Sequence, residues 1–293
     1  MLPGTRAKIR NFLLFSSVFS LSALGAEQDF SGVEITATPV AGKVQMLQGS
    51  GGNIAVSIGA DGVLMVDDEF GPLADKIKAA IRSLGGDAPA FLLNTHWHGD
   101  HTGSNEFFAD RATIIAQENI RLRLADPGAA RVPEALPVIT FEDGLSIYFN
   151  GEEIRLTHLP NGHTDGDTAV WFTGSNVLHT GDQYFNRAFP FVDLSSGGSV
   201  VGLVQSVEAL IPQLPDDIRI IPGHGALSTK AEYASWLAGV KATAEIVMAK
   251  MAAGKSLQDI IGEGLPAEYE SWGKGFINEA AWITAIYNST SQK

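Results

Sequence analysis

Three of the seven histidines in this 293-residue chain fall within six positions, His96-Trp97-His98-Gly99-Asp100-His101. In an extended segment, residues two apart point the same way, so His96 and His98 can converge on one point. Asp100 and His101 lie past Gly99 and can reach a second point nearby. Imidazole and carboxylate both bind zinc, at about 2.0–2.2 Å. Three more candidates stand beside glycines, which let backbone pass close to a site. They are His163 in Asn161–Asp167, Asp182 in Thr180-Gly181-Asp182, and His224 in Pro222-Gly223-His224-Gly225. One metal could take His96, His98 and His163, and a second could take Asp100, His101 and His224. Asp182 could bridge the two.

The surrounding sequence supplies elements to hold these residues. Strands are predicted at 43–47, 54–58 and 63–66, the last two joined by a turn at Gly59–Gly62. Gln48–Asn53 is a glycine-rich loop, in which Gly49–Asn53 reads as a turn, with a flap as the alternative. A helix is predicted over 72–84, and a short apolar strand at 91–93 runs directly into the histidine motif. Further strands are predicted at 113–116, 145–149, 154–158, 169–172, 177–179 and 219–221. Helices are predicted from Ser104, at 117–125 and at 199–210, with an irregular stretch at 127–137. Thr229 and Glu232 form a capping box at the head of a helical C-terminal part. Strands and helices thus fall in two rough halves, which implies one domain with two packed sheets and outer helices.

The ordered motifs resemble those of the metallo-β-lactamase superfamily, the αββα metallo-hydrolases, across essentially all of residues 26–293. The resemblance implies a four-layer αββα sandwich with C-terminal helices and two Zn²⁺ per chain. It also implies a site-orienting, non-ligating role for Asp67 at the strand end Val66-Asp67-Asp68. Asp182 stands where some β-lactamases carry a cysteine ligand. Another β-lactamase group shares the His-x-His-x-Asp-His motif but lacks the bridging aspartate. Lactonases and thioester hydrolases of the glyoxalase II type have it, and the flavodiiron branch prefers glutamate where His98 stands. Dimetal sites of this kind activate water for attack on a carbonyl carbon. Asp100 can orient the nucleophile and pass a proton on.

The expectation is therefore a secreted, periplasmic dizinc hydrolase acting on a small-molecule amide, ester or thioester, with β-lactams as the first specific substrate. The alternatives are a lactonase, a glyoxalase II-like thioesterase, or an iron-dependent redox enzyme, because histidine and carboxylate also suit iron. A non-catalytic metal-binding protein is a further class, which the complete ligand set disfavours. Tyr184 is a candidate oxyanion donor and Arg187 a candidate partner for a substrate carboxylate. His158 and His179, at the ends of apolar strands, read as hydrogen-bonded structural residues, and Trp97 as packing at the pocket rim.

Composition narrows the classes. The formal charge of −13 opposes nucleic acid as a partner. With no cysteine there are no disulfides, thiolate ligands or thiol nucleophiles. Residues 1–25 carry Arg6, Lys8 and Arg10, then a short apolar run, then Ala23-Leu24-Gly25. This reads as a cleavable signal peptide, with an uncleaved amphipathic anchor as the alternative. Losing it removes three cations and no anion, taking −13 to −16. No later segment is long and apolar enough for stable membrane insertion.

Overall fold

The computed structural model describes residues 29–291, so the signal-peptide assignment lies outside the described residues. The first half of the chain builds one sheet in sequence order: β1 (Thr36–Ala41), β2 (Val44–Gln48), β3 (Ile54–Gly59), β4 (Gly62–Val66), β5 (Phe91–Asn94), β6 (Thr113–Gln117) and β7 (Ile139–Phe141). The strands are antiparallel up to β4 and parallel from β4 to β7. Between them lie α1 (Ala74–Ser83), α2 (Gly99–Thr102), α3 (Asn105–Phe108) and α4 (Glu118–Leu124). The second half supplies β8 (Gly144–Phe149), β9 (Glu152–His158), β10 (Thr168–Phe172), β11 (Val177–His179), β12 (Arg219–Ile221) and β13 (Ser228–Thr229). These form a second sheet in the order β13-β12-β11-β10-β9-β8, in which only β11 and β12 pair in parallel. Four further helices follow: α5 (Val200–Leu210), α6 (Lys230–Ala252), α7 (Leu257–Glu263) and α8 (Glu279–Ser291).

Alternation of side chains along each strand sorts the apolar residues into three layers. Leu64 and Val66 of β4 face Val170 and Phe172 of β10 across the space between the sheets. Val63 and Met65 point the other way, onto Ile77 and Ile81 of α1. On the far side Ala169, Leu178 and Ile220 meet Leu203 of α5, Val240 of α6 and Ile283 of α8. Both faces of the central strands are covered, so β4, β5 and β6 read as near-continuous apolar runs. The expected four-layer αββα sandwich with C-terminal helices is what forms.

Three strands were not legible in the sequence. β1 is a mostly exposed edge broken by an irregularity at Pro39–Ala41. β7 has three residues and β13 two, too short to show a period. Gly59 pairs with Gly62, so the predicted turn tightens to Ala60–Asp61. The helix predicted at 72–84 starts as a 3₁₀ turn at Gly71–Leu73 before α1. The capping box heading α6 is present as expected. Among the described residues, no helix is long and apolar enough to cross a membrane.

Candidate metal centre

Every candidate ligand sits just past a strand, at the seam between the two sheets. His96 and His98 follow β5; His101 lies one turn later in α2, whose N-cap is His98. His163 lies between β9 and β10, Asp182 in a 3₁₀ turn after β11, and His224 after β12. Gly223 makes the last approach possible, because a Cβ there would lie 2.1 Å from Asp182 Oδ1.

The donor atoms form two groups, His96/His98/His163/Asp182 and Asp100/His101/His224, each with all its members within 4.8 Å of one another. Asp182 serves both. Its Oδ2 lies 3.5 Å from His163 Nε2 and 3.8 Å from His96 Nε2. Its Oδ1 lies 3.2 Å from His101 Nε2 and 3.4 Å from His224 Nε2. Asp100 Oδ2 completes the second group, 3.4 Å from His224 Nε2 and 3.7 Å from His101 Nε2. Ligands 2.0–2.1 Å from a tetrahedral ion stand about 3.4 Å from each other, close to the spacing found here.

The outward ring nitrogens decide the tautomers. His101 Nδ1 donates to Asp67 Oδ2 at 2.7 Å, and His163 Nδ1 to the Phe191 carbonyl at 2.8 Å. His96 Nδ1 meets Thr95 Oγ1 at 3.1 Å. His98 is turned over: its Nε2 meets Asp193 Oδ2 at 3.1 Å, which leaves Nδ1 for the site. With those protons placed outward, His98 Nδ1 and His163 Nε2 face each other at 2.8 Å as two lone pairs. Two acceptors at that distance repel unless a cation lies between them. His96 Nε2 and Asp182 Oδ1 are buried with no hydrogen-bond partner. Buried polar atoms are seldom left so, and the donor set fits metal. This outer ring of oriented partners is the usual support of metal-ligating histidines.

Charge follows the same division. Burial pushes the Asp182 carboxyl up, but the ring of His224, His101, His96 and His163 overrides it and holds it well below the carboxylate range. Burial disfavours the charged form of His224, yet Asp182 and Asp100 push it up to about 9. In His163 burial dominates and lowers the ring to about 4.

Asp67 takes the orienting place expected of it. It is fully buried, and besides His101 it accepts from Thr95 N and Thr95 Oγ1, each at 2.7 Å. Two expected substrate contacts are corrected. Tyr184 is fully buried among Tyr233 and Trp236, and its hydroxyl is engaged with Asn186 and Ser228. It follows Asp182 in sequence, but its backbone turns it into the C-terminal helical layer, away from any oxyanion. Arg187 is 83% exposed with its guanidinium 3.8 Å from Glu232, and the structure does not bring it to the site. His158 and His179 are structural as expected, bonded to the carbonyls of Asp165 and Asn53. Trp97 packs beside Ile120 and Leu124.

Sequence reasoning missed Asp193, Thr95 and Phe191 as partners of the histidines, and no spacing marks them. It also missed what fixes the glycine loop. Glu69 Oε2 accepts from Ser50 N and Gly51 N, and Gly52 N donates to Asp100 O. Gly52 lies flat on His101, where a Cβ would come within 2.1 Å of the ring. The loop is a tied wall of the site, not a flap.

A fold of two mixed sheets between helices, carrying paired histidine–carboxylate groups at its seam, defines a metallo-hydrolase class. The family model described as "Metallo-beta-lactamase superfamily" matches residues 49–224, and the chain belongs to that superfamily. A hydroxyacylglutathione hydrolase of Rhodospirillum rubrum is 32% identical over 52% of this chain and 54% of its own length. An uncharacterized protein of Mycobacterium leprae is 30% identical over 48% of this chain and 71% of its own. The chain thus spans about half the length of the hydrolase it matches. Among solved structures, a metallo-beta-lactamase from Pontibacter korlensis superposes with a TM-score of 0.63 at 15% identity, covering 71% of this chain and 99% of its own. The sec-alkyl sulfatase PisA1 superposes with a TM-score of 0.70 at 14% identity, covering 87% of this chain and 50% of its own. At those identities the likeness is one of fold.

Proposed function

We propose that residues 26–293 form one exported domain, a dizinc hydrolase that cleaves an activated acyl carbonyl, with thioesters and esters ahead of β-lactams. The observation that carries the reading is the split of Asp182, one oxygen toward each histidine group. His96, His98 and His163 would hold one zinc, and Asp100, His101 and His224 the other. Zinc supplies Lewis acidity and brings the pKa of water to about 7.

The chain's own residues do the rest. Asp182 holds the two groups together and offsets their charge. Asp67, Asp193 and the Phe191 carbonyl keep His101, His98 and His163 in ligating tautomers. Asp100, about a quarter exposed, is placed to orient water and to receive a proton from it. The order of substrates reflects the relatives. Relatives named for a reaction include hydroxyacylglutathione hydrolases, whose named substrate is a thioester, whereas the likeness to β-lactamases is one of fold.

The test is a hydrolysis panel on zinc-loaded protein spanning acyl thioesters, lactones and β-lactams. The expected result is turnover of thioesters or lactones that is lost in His98→Ala. Absence of turnover across all three classes overturns the proposal. β-Lactam turnover above the other two reverses the order of substrates.

A further inference from the structure

Phe191 connects the metal centre to a part of the surface that the proposed reaction has not used. Its carbonyl accepts from His163 Nδ1, and its ring lies 5.7 Å from the His98 ring and 5.6 Å from that of His163. The same ring meets Phe276 edge-on at 6.0 Å. Phe276 is 84% exposed. A single exposed apolar residue is ordinary, but this one continues an aromatic path from the histidines. Phe191 also lines a shallow cleft of about 420 Å³ between the 191–194 loop and α8, with Leu194, Ala281, Thr284 and Ala285. No charged side chain of α8 enters its wall; the charged residue of the lining is Asp193, whose carboxylate is taken by His98, Ser195 and Ser196. Phe276 and α8 both lie beyond residues 49–224, outside the part of the chain that matches the superfamily.

The geometry points to this cleft as the seat of an apolar acyl or aromatic group on the substrate, leading from Phe276 over Phe191 to the histidines. The inference rests on the hydrolase reading for what lies at the reacting end. Occupancy by the substrate follows from continuity, because the Phe191 ring that lines the cleft also lies against the rings of His98 and His163. A half-covered methylene gains roughly twofold in affinity, so four more carbons on an acyl chain gain on the order of tenfold.

Two measurements on the full-length, zinc-loaded chain test it. Calorimetric binding of decanoate, with acetate as the carboxylate control, reads the cleft without turnover. KM and kcat for acetyl and hexanoyl thioesters of one thiol read it during the reaction. The variants are Phe276→Ala and Ala281→Asp, both at exposed positions away from the core. Decanoate is expected to bind at least tenfold more tightly than acetate, and each variant to erase most of that difference. Hexanoyl KM is expected to rise about tenfold in the variants, with kcat and the acetyl substrate unchanged. Equal binding of decanoate and acetate, or variants that depress both thioesters alike, overturns the cleft. Chain-length-dependent binding with no turnover of any substrate keeps the cleft and overturns the hydrolase reading.

Discussion

Replacing Asp67 by asparagine is expected to weaken one of the two proposed zinc sites and spare the other. The carboxylate accepts three hydrogen bonds: Thr95 N on Oδ1, and Thr95 Oγ1 and His101 Nδ1 on Oδ2. Asparagine has the same size but one acceptor oxygen. If that oxygen keeps Thr95 N, the amide NH₂ meets His101 Nδ1 and drives the ring proton to Nε2. Nε2 is the atom facing Asp182 and Asp100, and once protonated it cannot bind metal. If the amide flips, the buried Thr95 N–H faces another donor, at a cost of about 1–3 kcal/mol. Loss of such an orienting partner lowers metal affinity by roughly 10–100-fold, or about 1.4–2.8 kcal/mol. Zinc titration against a chromophoric chelator reads two binding steps. The step assigned to Asp100, His101 and His224 should weaken by that factor while the other stays within about twofold. Equal weakening of both steps, or of neither, refutes the tautomer argument.

Asp182→Asn should weaken both zinc steps by roughly 10–100-fold each, because each carboxylate oxygen faces a different group; two intact steps would return Asp182 to being a turn residue. Tyr184→Phe should lower stability by about 1 kcal/mol through lost bonds to Asn186 and Ser228 and leave kcat/KM within about twofold; a large fall in kcat would restore the oxyanion role. In metal-free protein His224 titrates near 9 in the fold against 6.5 in the free side chain. Its raised pKa contributes stability that is full below pH 6.5 and is lost as pH rises to 9. The metal-free melting temperature should fall over that window, and His224→Gln should flatten the fall. Export should remove the leader near Gly25; an exported chain retaining Met1 by mass spectrometry would contradict the signal-peptide assignment.

The candidate ligands were legible because the histidines are rare in this chain and each candidate stands beside a glycine-marked turn after an apolar run, and those runs must be buried strands. The sheets were legible where both faces are covered, as in β4 and β5, and lost at β1, where exposure removes the pattern. Tyr184 failed for a reason spacing cannot carry. Two residues past a ligand, a side chain points either into the site or into the core, according to the turn between. Here Gly181–Gln183 is a 3₁₀ turn and sends it to the core. Asp193 was invisible for the opposite reason. It lies 95 residues from His98, and only the packed fold brings them together.

Among the described residues no strand is shared between the sheets, so the centre depends on bonds across the seam. His96, His98, Asp100 and His101 come from the first half of the chain; His163, Asp182 and His224 come from the second. Asn53, at the head of β3, donates its side-chain amide to the carbonyls of Pro222 and Gly225 and its backbone N–H to Gly223. Its own carbonyl meets His179 Nε2. Three bonds from one buried residue thus fix the turn that carries His224, and the fourth ties Asn53 to the end of β11. Thr168 N bonds to Thr95 O on the other side of the seam, beside His96. Both residues act on the backbone of ligand-bearing turns without supplying a donor atom to either metal group. This explains why a carboxylate as short as Asp182 can reach both groups. The halves are held at the spacing of a single side chain, and the sheets behind them set direction while these bonds set distance.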